Sequence, residues 1–439
     1  MQTNFTDRQL TDPAIAQSEK ILRNCVHCGF CTATCPTFVT LGDELDSPRG
    51  RIYLIKDMLE NDKPATEKVV RHLDRCLSCL SCMTTCPSGV DYMHLIDHAR
   101  SHIEQTYDRP LGDRWLRAML AWVVPRPAIF RLALIGASVA APLARWMPGR
   151  LKGMMAMGAR GAQPPSWVDQ PQVIPARGVR KGRVAILTGC AQQVLDTAIN
   201  EATVRLLTRI GIEVVVAKGA GCCGSLVHHM GREDQSHQQA IANVVAWSRH
   251  LKDQGGEGLD AIVITASGCG TTIKDYGHML RHDARWAKPA ARISSLAKDI
   301  TEYLAELDFD LPVTPQDVPP LRVAYHSACS MQHGQKITRQ PRDLLKRAGF
   351  EVLEIAEGHL CCGSAGVYNI LQPDIADRLR DRKQANIRQT HPDIVATGNI
   401  GCMVQLDSDD LKVVHSVQLL DWATGGPVPD KLRHLVPSI

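Results

Sequence analysis

Aromatic side chains are scarce in this sequence: Trp, Tyr and Phe together make up 5% of its 439 residues. Few flat surfaces are left on which bases could stack. Neither sign of charge dominates, since 50 Lys and Arg face 46 Asp and Glu for a formal charge of +4. The basic residues are dispersed rather than gathered into a stripe, so nucleic acid is excluded as a partner. Long apolar runs are also missing. The most apolar stretch, 118–147, is broken by Pro125, Arg126, Pro127 and Arg131, and its uninterrupted part, 132–143, is too short to cross a bilayer. The first twenty residues lack the basic and then apolar pattern of an export signal. The reading is therefore a protein of a reducing, cytosolic compartment, where thiols persist as thiols. No grouping of acid, base and nucleophile stands out, and no catalytic residue is assigned.

Cysteine, by contrast, is abundant: the chain has 16. Eight of them fall in two runs of the form C-x2-C-x2-C-x3-C-P, namely Cys25, Cys28, Cys31 and Cys35 before Pro36, and Cys76, Cys79, Cys82 and Cys86 before Pro87. That spacing is the ligand set of a two-cluster bacterial-type ferredoxin. Three thiolates two residues apart wrap one [4Fe–4S] cube from a tight loop, and the fourth, set off by three residues and a proline, reaches the other cube. The expected sets are Cys25, Cys28, Cys31 and Cys86 on one cluster, and Cys76, Cys79, Cys82 and Cys35 on the other. Zinc sites use pairs of C-x2-C knuckles rather than quartets followed by proline. The forty residues between the quartets hold helix, signalled by Ser47-Pro48 and the one-sided apolar pattern of 52–59.

The remaining eight cysteines belong to an internal repeat. Arg183 to Cys190 and Arg322 to Cys329 each read as a buried strand ending in cysteine. A helical segment follows in each half (198–210 and 344–348), then a second strand (211–216 and 349–354). Next comes a Cys-Cys-Gly triplet, Cys222-Cys223-Gly224 and Cys361-Cys362-Gly363, lying 32 residues beyond the first cysteine in both halves. A third strand ends at Cys269 in one half and Cys402 in the other. Alternation of strand and helix with cysteines at strand ends predicts two α/β units, each with its site at the carboxyl edge of a parallel sheet. Cys190, Cys222, Cys223 and Cys269 form one candidate metal site; Cys329, Cys361, Cys362 and Cys402 form the other. Adjacent cysteines make poor disulfide partners, and a glycine beside them lets the backbone approach a bulky inorganic cluster.

Several features carry less. Residues 219–224 match the dinucleotide pattern G-x-G-x-x-G, but the match contains both cysteines and fails in the second half, so its glycines are read as cluster-loop glycines. Residues 158–182, rich in Gly, Pro and Ala, read as a linker. The apolar stretch 118–147 has three readings: packing on the protein's own core, a docking face for a partner, or an interfacial helix with Arg126, Arg131, Arg145 and Arg150 near lipid headgroups. His27 and His326, close to cysteines, are read as satisfied structural histidines. Arg49 and Arg51 are read as paired surface or helix-start residues.

The segments Cys25 to Pro36, Gly42 to Asp46, Pro48 to Lys56 and Thr265 to Gly270, set beside the quartets and the two Cys-Cys-Gly halves, carry a resemblance over nearly the whole chain. It resembles the iron–sulfur subunits of bacterial glycolate oxidases. These belong to a wider set with lactate-utilisation proteins, anaerobic glycerol-3-phosphate dehydrogenase subunits and heterodisulfide reductases. The resemblance implies an α+β multidomain protein, with a helical ferredoxin-like domain at 1–110 carrying two [4Fe–4S] clusters. An apolar helical segment and linker at 111–182 and two cysteine-rich CCG domains, 183–312 and 313–439, complete it. One or two further iron–sulfur clusters are implied in the CCG domains. It also implies FAD-containing partner subunits that oxidise glycolate to glyoxylate, with this chain passing electrons toward a membrane quinone at the cytoplasmic face of the inner membrane. In heterodisulfide reductases each CCG half supplies a fifth cysteine; the matching positions here are Thr272 and Gln405, which leaves four thiolates per half.

Overall fold

The computed structural model describes residues 1–140, 161–307, 309 and 320–435. The N-terminal part is helical. Its longer helices are α1 (Pro13–Asn24), α2 (Pro48–Glu60), α3 (Glu67–Asp74) and α4 (Tyr92–Thr106). Proline opens α1 and α2, where its missing N–H costs nothing, and the residue before each proline caps the helix. Asp12 accepts from the Ala14 amide at 2.8 Å, and Ser47 from the Gly50 amide at 3.0 Å. Gly50 has a steric reason to be glycine, since a Cβ there would lie 2.1 Å from the carbonyl oxygen of Glu44. The 3-10 turn Glu44–Asp46 thus rests directly on the first turn of α2. Ile52, Ile55, Met58 and Leu59 of α2 pack with Leu22, Leu73, Leu95 and Ile96 into one core that also contains Cys25, Cys76 and Cys82.

Two more helices follow, α5 (Leu111–Val123) and α6 (Pro127–Ala140), broken at Pro125 as the sequence implies. Of the three readings of this stretch, internal packing is realised on one side. Leu116, Leu120 and Ala121 pack against Val227, Met230, Ile370 and Leu371, while Phe130 and Leu134 pack against Val194. The other side leaves Trp115, Trp122, Leu132, Ile135 and Val139 exposed. Residues 141–147 of the stretch, with Arg145, and likewise Arg150, lie outside the described residues. No helix among the described residues is long and apolar enough to cross a membrane.

The supposed linker is in part structured, a correction to the compositional reading; its first residues, 158–160, lie outside the described residues. Gln172–Ile174 forms β1, which pairs antiparallel with β3 (Ile212–Val216). A Gly- and Pro-rich segment can still lend a short strand to a sheet edge, because an edge strand needs only one row of hydrogen bonds. The first sheet has the order β1-β3-β2-β4-β5, with β2 (Gly182–Ile186), β4 (Ala261–Ile264) and β5 (Ala297–Asp299) parallel to β3. The second sheet, β7-β6-β8-β9, is all parallel: β6 (Arg322–His326), β7 (Glu351–Leu353), β8 (Ile394–Thr397) and β9 (Val413–His415). Each sheet therefore gains a fourth parallel strand, β5 or β9, that three-residue sequence runs do not announce. The boundary expected between 312 and 313 lies outside the described residues.

The two sheets share one apolar core, from Val184 and Val214 through Val323 and Val395. Polar contacts join their site-bearing loops. The Ser267 and Ser330 hydroxyls lie 2.7 Å apart, Gln335 Nε2 donates to the Ser267 carbonyl at 2.9 Å, and the His415 ring meets the Thr265 carbonyl at 2.7 Å. Because Ser267 precedes Cys269 and Ser330 follows Cys329, these bonds fix one cysteine-bearing edge against the other.

Candidate metal centres

In the helical part, the short turns Cys25–Cys31 and Cys76–Cys82 curl through left-handed backbone at His27 (φ 55), Gly29 (φ 88), Ser78 (φ 50) and Leu80 (φ 61). Such conformations are uncommon outside glycine. They fold each loop around a centre. Cys25, Cys28, Cys31 and Cys86, with Cys82 beside them, line one cavity; Cys35, Cys76, Cys79 and Cys82 line its neighbour. Proline after Cys35 and Cys86 sends the chain away at once. Burial pushes the Cys31 thiol up to about 11 and pushes Cys79 and Cys82 well above their ordinary value, the nearby thiols adding to the shift. Buried sulfur crowded this way is uncomfortable as thiolate unless cationic metal sits among the donors. The donor set and its cavities fit iron–sulfur clusters.

Three side chains that the sequence reading left on the surface or unassigned, Arg51, Tyr92 and Arg100, lie against the second set. Arg51 is 1% exposed, so its surface reading is corrected. Its guanidinium donates to the His72 carbonyl at 2.7 Å and the Thr37 hydroxyl at 3.0 Å, meets Asp46 at 3.4 Å, and lies 3.8 Å from Cys35 Sγ. Asp46, itself buried, also receives Arg75 at 2.7 Å and the His72 ring at 2.9 Å. The Tyr92 hydroxyl lies 3.8 Å from Cys76 Sγ, and Arg100 donates to the Cys76 carbonyl at 2.7 Å. The sequence signal for Arg51 was its place three residues beyond Pro48 on the buried face of α2, which a charge-counting reading passes over. Arg49 fits its surface reading, paired with Glu44 at 2.7 Å.

The two CCG halves converge as the repeat implies. In the second half Cys329 Sγ and Cys361 Sγ are 3.7 Å apart, and Cys362 Sγ and Cys402 Sγ 3.5 Å apart. The first half has the same order of contact, Cys190 to Cys222, Cys222 to Cys223, Cys223 to Cys269. Hydrogen bonding to Cys222 and burial raise Cys190 and Cys223, whereas the bonds Cys222 receives from both of them hold it well down against its own burial. The glycine after each cysteine pair is obligatory on steric grounds. Gly224 and Gly363 both have φ +89, and a Cβ on Gly363 would meet the Ala376 carbonyl oxygen at 2.5 Å. The positions of the missing fifth cysteines are engaged elsewhere: Thr272 donates to the Gly268 carbonyl at 3.3 Å, and Gln405 pairs with Asn369 at 3.1 Å and Ala376 at 3.3 Å.

The tertiary structure adds two relations between sites. All eight CCG cysteines, with Cys76, line a single chamber of about 440 Å3, whose far wall is Met119, Leu120, Val123, Phe130 and Leu134 of α5 and α6. Cys79 of the second ferredoxin set packs with Cys361, Tyr368 and Leu379 in one apolar cluster, with Cys329 at its edge. His27 is half-buried, and its Nε2 finds no partner among the described residues. His326 is not the satisfied structural residue expected; burial, with Lys383 nearby, pushes its ring down to about 3, and its Nε2 has no partner among the described residues.

Comparison with known proteins agrees with this architecture. The family model of a 4Fe-4S dicluster domain matches residues 21–90, and that of the cysteine-rich CCG domain matches 184–274 and 323–407. The chain is 42% identical over 424 residues to the glycolate oxidase iron-sulfur subunit of Escherichia coli, covering 96% of this chain and 99% of that protein. It is 32% identical over 426 residues to the probable glycolate oxidase iron-sulfur subunit of Bacillus subtilis, covering 92% and 94%. With one of the subunits of the fumarate reductase (CoM/CoB) of Methanothermobacter marburgensis it shares 26% identity over 439 residues, covering 96% and 76%. A dicluster ferredoxin unit followed by two CCG halves, matched end to end at this identity, establishes that the chain belongs to the family of glycolate oxidase iron–sulfur subunits, components of an oxidoreductase complex.

Proposed function

We propose that this chain relays electrons within a glycolate-oxidising complex, from FAD-containing partner subunits that convert glycolate to glyoxylate toward a membrane quinone. The observation that carries the reading is the contact of Cys79 with the Cys361 and Cys329 edge of the second CCG site, which brings the second ferredoxin quartet against a CCG tetrad. When bound, iron–sulfur clusters take up and return one electron at a time. In this reading Cys25, Cys28, Cys31 and Cys86 hold one [4Fe–4S] cluster and Cys76, Cys79, Cys82 and Cys35 the other. The CCG tetrads, Cys190, Cys222, Cys223, Cys269 and Cys329, Cys361, Cys362, Cys402, hold the rest. The segments 1–110, 111–182, 183–312 and 313–439 are its four structural units.

The residues around each site support a direction. Cys28 is exposed, and beside it Val26, Phe30 and Tyr53 present bare apolar surface, a rim suited to a flavoprotein docking close to the first quartet. The chamber shared by the CCG cysteines is lined on another side by α5 and α6, which carry Trp115, Trp122, Leu132 and Val139 as exposed side chains. An amphipathic hairpin of this kind suits the interfacial zone of a bilayer, and the chamber behind it suits a lipophilic acceptor. The same surface supports the reading of peripheral association with the inner membrane.

The test uses the whole complex purified anaerobically. Cys76→Ser removes one ligand of the second quartet. Glycolate binding and flavin reduction persist, while glycolate-driven reduction of a quinone analogue falls by at least about tenfold. Unchanged acceptor reduction refutes the relay, as does turnover of a disulfide by the dithionite-reduced chain without any flavoprotein, which makes the chain a reductase in its own right.

A further inference from the structure

The two CCG halves repeat each other at their thiols but not in what surrounds them. Leu187, one residue beyond β2, sits in an apolar core with Ala185, Val215 and Ile262. Counted back from the first cysteine of each half, its counterpart is His326, the last residue of β6. His326 is 2% exposed, and its Nε2 has no hydrogen-bond partner among the described residues. A buried polar nitrogen left unpaired is costly, so the ring calls for an occupant. A ring nitrogen of His326 and the Sγ atoms of Cys362 and Cys402 all lie within 4.8 Å of one another. The two sulfurs are 3.5 Å apart. Imidazole is a common metal donor beside thiolate, and here it reaches the same space as both sulfurs. No competing donor stands in the place of the absent fifth cysteine, because Gln405 spends its amide on Asn369 and Ala376.

We propose that His326 is a metal ligand: the second CCG site would hold its cluster through the His326 imidazole as well as its cysteines, Cys362 and Cys402 among them, whereas the first site, with leucine at that position, would be held by thiolates alone. This rests on the reading that the CCG cysteines hold iron–sulfur clusters. Neutral imidazole donates less negative charge than thiolate, and histidine ligation raises the potential of an iron–sulfur centre. The second site is accordingly the more oxidising of the two. It is also the one in contact with Cys79, so it is the first acceptor beyond the ferredoxin unit.

The experiment is electron–nuclear double resonance on the anaerobically purified, reduced holoprotein, labelled with 15N-histidine, together with iron and acid-labile sulfide analysis. The expected result is iron well above the roughly eight atoms that two cubes hold, and a strong nitrogen coupling that changes with the label. The coupling vanishes in His326→Leu, which copies the first half. It is retained in His333→Gln. The midpoint potential of one CCG signal falls in His326→Leu. Should that variant fail to fold, His326→Asn, which keeps a buried polar side chain, replaces it. Iron well above eight with no histidine nitrogen coupling in the unmutated protein overturns the proposal and leaves the cluster reading standing. Iron near eight overturns both. A coupling that survives His326→Leu or His326→Asn overturns the assignment to His326.

Discussion

Replacing Arg51 with methionine removes a charge that is 1% exposed and 3.8 Å from Cys35 Sγ. Two separate quantities change. The first is stability: the His72 carbonyl and the Thr37 hydroxyl each lose a donor, and Asp46, 0% exposed, keeps Arg75 and the His72 ring but loses the Arg51 guanidinium. Breaking a buried charge pair of this kind costs about 3–5 kcal/mol; because Arg75 and His72 remain on Asp46, the lower end applies. The second is potential. A unit charge 3.8 Å from a ligand sulfur is worth at most about 4 kcal/mol at an effective dielectric of about 20. Spread of the electron over a cluster and the opposing Asp46 reduce this to roughly 1–2 kcal/mol. That is about 40–90 mV for a one-electron couple. Loss of positive charge disfavours the reduced state, so the midpoint moves negative. Arg51→Lys separates the two: the charge stays and the potential is largely kept, but one ammonium cannot serve three acceptors in a fork, and stability still drops. The assay is an anaerobic redox titration followed by electron paramagnetic resonance, with thermal unfolding in parallel. A methionine variant whose potentials all stay within about 10 mV of the parent's refutes the electrostatic reasoning.

Two further outcomes follow from local geometry. Gly363→Ala puts a Cβ at φ +89 and 2.5 Å from the Ala376 carbonyl, whereas Gly42→Ala, at φ +72, meets no heavy atom within 4 Å. The left-handed backbone alone costs about 1–2 kcal/mol, so both variants melt lower, and calorimetry finds the larger fall for Gly363→Ala; equal falls contradict the steric argument. His94 on α4 is opposed by its burial, but hydrogen bonds to Asp275 at 3.0 Å and Asp91 at 2.5 Å raise it from 6.5 to about 10. Its contribution is therefore complete below pH 6.5 and is lost as pH rises through about 10. His278, stacked on it at 3.5 Å and pushed down to about 3, is neutral in both states above pH 6.5 and adds nothing in that window. The melting temperature of His94→Gln accordingly lies furthest below the parent near pH 6.5 and converges with it by pH 10; a gap independent of pH contradicts this.

The sequence alone determined that sulfur would be gathered, and in which groups. Proline after Cys35 and Cys86, the 32-residue step from Cys190 to Cys222 and from Cys329 to Cys361, and strands ending at cysteines are local rules of spacing and period, and local rules survive in one dimension. The helix at Pro48, the parallel strands of both repeats and the Cys-Cys-Gly turns were legible for that reason. Tertiary structure decided what lies beside the sulfur. Arg51 and His326 read as ordinary residues because burial and partnership depend on neighbours far along the chain, such as His72 for Arg51 and Cys402 for His326. The three-residue strands β5 and β9 and the edge strand β1 draw their stability from the sheet they join rather than from their own sequence. That the apolar stretch roofs a chamber lined by both thiol tetrads, and that Cys79 meets Cys361, came from packing of surfaces, a relation that no spacing within the sequence encodes.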